Sequence, residues 1–62
     1  MKLMARQISR MMYDPKEFAE WQEVKETMIY FPSGRKECFI FKTNDGREIA
    51  VKARFCEVCY VF

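Results

Sequence analysis

The chain has 62 residues, half of them hydrophobic and 16% aromatic. That length holds one core and no second, so residues 1–62 read as a single domain, and so apolar a composition excludes an intrinsically disordered chain. The net charge of +2, from 11 basic and 9 acidic residues, is too small to demand nucleic acid or an anionic membrane.

Charge runs in blocks along the chain. Lys2, Arg6 and Arg10 come first, then Asp14, Glu17, Glu20, Glu23 and Glu26 against Lys16 and Lys25, then a mildly basic remainder. "MKLMARQISRMM" predicts a short amphipathic helix. Lys2, Arg6 and Arg10 recur every four residues on one side, with Met4, Ile8 and Met11 opposite. Strand alternation is the poorer match, because it mixes Met4 and Ile8 with Arg6 and Arg10 on one face. "YDPKEF" predicts a second helix start: Asp14 as cap, Pro15 at the first helical position, Glu17 at capping-box spacing. This helix is expected from about Pro15 to about Lys25, with Phe18, Trp21 and Val24 on one face and Glu17, Glu20 and Glu23 on a neighbouring stripe.

The pattern then changes to strands. "TMIYF", the turn "PSGR", "KECFIFKT", the turn "NDGR" and "EIAVKARF" form a three-stranded antiparallel meander. Ile49, Val51, Ala53 and Phe55 alternate onto one face, and Phe39 and Phe41 share it. "NDGREIAVKARF" resembles a turn and strand of many small sheet proteins, SH3-like barrels among them. The tail "CEVCYVF" either continues the third strand or, after a bend, adds as a fourth strand or curls the sheet toward a small barrel. The expected fold class is α+β: two short N-terminal helices packed on a three- to four-stranded antiparallel β-meander.

Three cysteines leave at least one thiol unpaired in a monomer. Cys56 and Cys59 have zinc spacing, with Cys38 as a third candidate ligand. Their neighbours Phe55, Val58, Tyr60, Val61 and Phe62 favour extended chain, where residues three apart point to opposite faces. The cysteines therefore read as buried structural thiols, with no metal and no cofactor, and a zinc site bridging two chains is the minority reading. A redox Cys-x-x-Cys belongs at a helix start after a strand, which this tail does not offer.

The chain has no histidine, and no serine has a neighbouring base, so the sequence predicts no enzyme. Two binding readings are left. The first is a small non-enzymatic regulator or inhibitor of a larger protein, of the size class of phage or mobile-element accessory factors. Its anchors are Trp21, Tyr30, Tyr60 and Phe62, and Glu17, Glu20 and Glu23 steer encounter. The alternative is nucleic-acid binding on a sheet face carrying Lys42, Lys52 and Arg54. A terminal apolar strand is a ready edge for pairing, so a homodimer is compatible with either. Lys2, Arg6 and Arg10 break up any leader-like apolar core, and no run approaches the ~20 apolar residues of a membrane span. A cytoplasmic protein with reduced thiols and no membrane contact is expected.

Overall fold

Alternation, not helical spacing, organises the first residues. The computed structural model describes residues 1–8 and 16–62, and the first element is a strand, β1 (Lys2–Gln7). Ala5 and Gln7 turn into the core while Lys2, Met4 and Arg6 turn outward. This overturns the expected first helix, as far as it lies in the described residues. Leu3 shares the face of Ala5 and Gln7, but those two buried positions are small or polar, so apolarity alone does not mark them. The outward Arg6 is held by an ion pair to Glu57 at 2.8 Å and lies over the Trp21 ring at 5.2 Å.

The second expected helix is absent too. A single 3-10 turn covers Lys16–Ala19, and the chain then enters β2 (Gln22–Glu23) and β3 (Lys25–Phe31). The expected cap, Asp14 and Pro15, lies outside the described residues. Phe18 and Val24 are buried, as a shared helical face would require, but Trp21 between them is exposed. The β-branched and aromatic residues from Thr27 on favour extended chain, and Leu3 draws in the strand's approach: the Val24 N–H donates to the Leu3 carbonyl at 2.9 Å.

The meander is β3, β4 (Gly34–Lys42) and β5 (Glu48–Lys52), paired antiparallel in that order. Gly34 and Gly46 take φ of +120° and +90°, which turns a chain that a side chain would obstruct. The 43–47 turn is further tied by the Arg47 N–H donating to Thr43 Oγ1 at 2.9 Å, with Asp45 accepting from the same hydroxyl. A 3-10 turn at Ala53–Phe55 then bends the chain into β6 (Cys56–Val61), which pairs with β1 from Lys2↔Val61 to Gln7↔Cys56.

The described residues therefore form two three-stranded antiparallel sheets, β2-β1-β6 and β3-β4-β5, with no α-helix among them. The fold is all-β, and the expected α+β arrangement is corrected. The chain changes sheet at two corners, Val24 and the Ala53–Phe55 turn, so the sheets close over one core. That core is Ala5, Phe18, Val24, Phe39, Phe41 and Val51, with Leu3, Ile49, Ala53, Phe55 and Cys56 packed against it. The Phe18 and Phe41 rings meet at 4.9 Å between centroids, so the 3-10 turn before β2 plugs the end of the core. The Gln22 side chain fastens the two sheets, its Oε1 accepting from the Lys42 N–H at 3.0 Å.

Candidate functional site

Two surfaces follow from the edge position of β6 and from how β4 outruns β5. The first is β6 itself. It pairs with β1 on one side and borders no strand on the other among the described residues. Opposite residues in an antiparallel ladder share a face. Val58 and Tyr60, opposite Ala5 and Leu3, thus lie on the core side, and Cys59 and Val61 lie on the outer side with Met4 and Lys2. Yet Val58 is 43% exposed, Tyr60 53%, Val61 48% and Phe62 98%. The strand carries apolar groups on both faces and one charge, Glu57, which Arg6 engages.

Of the expected anchors, Tyr60 and Phe62 are brought together here. Trp21 sits before β2 beneath Arg6, and Tyr30 is exposed near the far end of β3, opposite Arg35. The expected acidic stripe is dispersed with its helix. Glu17 accepts from the Asn44 N–H at 3.3 Å, Glu20 is exposed after the turn, and Glu23 lies on β2 opposite Met4. Composition pointed to the aromatics of β6 but not to Val58 and Val61, whose exposure depends on β6 being an edge.

The second surface lies where the β4–β5 ladder stops. Its last pair is Cys38↔Lys52, because the 3-10 turn lifts the chain away after Lys52. Lys36 and Glu37 of β4 are left facing Ala53 and Arg54 across a groove of about 190 Å³ that Lys52 also lines. The Lys52 ammonium lies 4.8 Å from the Phe31 ring centre, and the Arg54 guanidinium lies 4.6 Å from that of Phe55. No ion pair among the described residues engages Lys36, Lys52 or Arg54. Glu37 lines the groove but shares a side-chain hydrogen bond with Glu26, which raises its carboxyl above the ordinary value. Lys42 belongs elsewhere. It pairs with Glu48 at the other end of the ladder, on a groove of about 200 Å³ where Glu23, Lys25, Lys42 and Glu48 balance. The expected Lys42, Lys52 and Arg54 set is therefore divided, and Lys36 takes the place of Lys42.

The cysteines do not converge as a set. Cys38 is buried, Cys56 half-buried and Cys59 exposed, all as free thiols. The Cys38 thiol points to the Lys36 carbonyl at 3.8 Å and the Cys56 thiol to the Lys52 carbonyl at 3.6 Å. Burial, with Cys38 nearby, pushes Cys56 up to about 11, so it stays a protonated thiol at neutral pH. Among the described residues no three Cys, Asp or Glu side chains group as metal ligands. Nor is any described helix long and apolar enough to cross a membrane.

Comparison with known proteins yields no match to a family model, a curated protein or a solved structure.

Proposed function

We propose that this protein is a small non-enzymatic binding module that regulates or inhibits a larger protein by docking β6 on it. One observation carries the reading: a strand at the edge of its sheet among the described residues exposes Val58, Tyr60, Val61 and Phe62 in a run of five residues. An edge left without the usual lysine, proline or bulge is a template for strand addition. Backbone hydrogen bonds then supply affinity, and alternate side chains supply specificity. Val58 and Tyr60 would contact one side of the incoming strand, Cys59 and Val61 the other. The absence of histidine supports binding over catalysis. Three free thiols fit a reducing, cytoplasmic setting.

A second copy of the chain is the occupant favoured next, on a specific registry. Antiparallel β6–β6′ pairing centred on Cys59 sets Val58 opposite Tyr60′ and Glu57 opposite Val61′, so no like charges face each other directly. Light scattering across a concentration series reads this arm. A doubled mass that Val61→Lys reduces to a monomer supports it, and a monomer throughout removes it.

The test of docking uses the partner isolated by cross-linking and then purified. Tyr60→Ala should weaken that complex about 30-fold, the scale of an interface hot spot, and Val61→Lys should do the same by guarding the edge. Circular dichroism of each variant confirms the fold. Unchanged affinity after alanine replacement of Trp21, Tyr30, Tyr60 and Phe62 together would sink this reading.

A further inference from the structure

We propose that the groove between the β4 overhang and the Ala53–Phe55 turn binds the phosphodiester backbone of a single-stranded nucleic acid through Lys36, Lys52 and Arg54. The first argument is electrostatic. The groove brings three cations and one anion around about 190 Å³, an excess equal to the net charge of the whole chain. Like charges gathered at one place repel, and elsewhere Arg6 is paired with Glu57 and Arg47 with Asp45. At the groove no such pairing occurs among the described residues, and Glu37 is the one anion among its lining residues. The excess charge is open to an anion from outside.

The second argument is shape. The cations are not on one flat sheet face. Lys36 comes from β4, Lys52 from the last rung of β5, and Arg54 from the turn that leaves the sheet. They border a channel from two sides, which suits a linear polyanion better than a point ion. The third argument separates nucleic acid from an acidic peptide. Arg54 lies over the Phe55 ring and Lys52 over Phe31, so two of the groove's cations each rest on an aromatic ring behind them. A guanidinium plane backed by an aromatic ring is a platform on which a base stacks, and a carboxylate peptide has no use for it.

The groove is separate from the docking strand. Arg54 precedes β6, and Val58 and Phe62 lie at most about 13 and about 26 Å further along an extended chain at ~3.3 Å per residue. One molecule could hold a protein at one end of β6 and a nucleic acid at the other.

Fluorescence anisotropy with labelled oligo-dT and oligo-U of about a dozen residues tests the proposal on the full chain. Three phosphate contacts on a single strand predict a log–log salt slope near −2, or about 20-fold weaker binding between about 50 and about 200 mM salt. Lys36→Ala and Arg54→Ala, both at exposed positions, should each weaken binding and reduce the slope by about 0.7. Glu37→Gln should tighten it, and Lys42→Ala should leave it unchanged. No binding at low salt overturns the proposal. So does binding indifferent to Lys36 and Arg54, and so does polyglutamate binding as tightly as the oligonucleotides, which would mark a site for acidic peptides. Stronger binding of oligo-U than oligo-dT, or the reverse, tells which nucleic acid the site prefers.

Discussion

Phe41 has no exposure and packs its ring on Phe18, so two segments depend on one side chain. One is the middle strand of the meander and the other the turn that seals the core. Truncation leaves a void that a core of six buried residues has little material to fill. Phe41→Ala should cost about 3–5 kcal/mol, comparable to the whole stability of a domain this small, so the variant should be largely unfolded by circular dichroism at 25 °C. Phe41→Leu should remain folded with a lower melting temperature, and an unaltered melt for either would deny Phe41 its place. Buried aromatic residues of this kind were legible in the sequence, since Phe39, Phe41, Ile49 and Val51 alternate cleanly. Ala5 and Gln7 were not. Of the inward positions of β1 only Leu3 is strongly apolar, while the outward face holds Met4, so hydropathy separates the two faces poorly.

At the scale of elements, the β3–β4 hairpin carries an electrostatic cost between its two strands. Glu26 and Glu37 come together across the two strands, and their shared hydrogen bond and mutual repulsion hold Glu37 above its ordinary value of 4.5. A carboxyl raised on folding stabilises the fold while protonated in both states. That contribution is lost as pH rises from the ordinary value through the raised one. Glu37→Gln keeps a donor for Glu26 and removes the charge. It should melt higher than the parent at pH 7, with the difference closing as pH falls toward 4. A constant difference across that range would mean that repulsion is not the cause. Asp45, held low by Thr43 and Arg47, contributes with the opposite sign but equally to both proteins. The hairpins themselves were legible because their signals are local: Gly34 and Gly46 mark turns between strands adjacent in sequence. The two expected helices failed for the converse reason. What makes Lys2–Gln7 a strand is its ladder with Cys56–Val61, and nothing within the first dozen residues announces that partner. The same holds for the groove. Lys52 and Arg54 could be read off β5 and its continuation, but Lys36 joins them only because the 3-10 turn ends the ladder at Cys38↔Lys52.

Over the whole molecule, the two sheets differ in how far apart in sequence their partners lie. The β3-β4-β5 sheet joins neighbours through tight turns, whereas β1 and β6 bring Lys2 to Val61 across almost the full chain. Closing so long a loop is entropically expensive, and non-local pairing slows folding. The meander should therefore assemble first, and the β1–β6 ladder should zip last onto a surface already made. Stopped-flow chevrons check that order. Val51→Ala, inside the meander, should mainly slow refolding, and Ala5→Gly, inside the terminal ladder, should mainly speed unfolding. Similar φ-values at both sites would show the sheets forming together. Until that last step the apolar residues of β6 have no neighbour at all. A nascent or partly unfolded chain presents Val58, Tyr60 and Val61 on a strand free along both edges, and in the native protein one of those edges borders no strand among the described residues. The strand proposed to dock on another protein is thus also where its own copies would first adhere in a crowded, unfinished state.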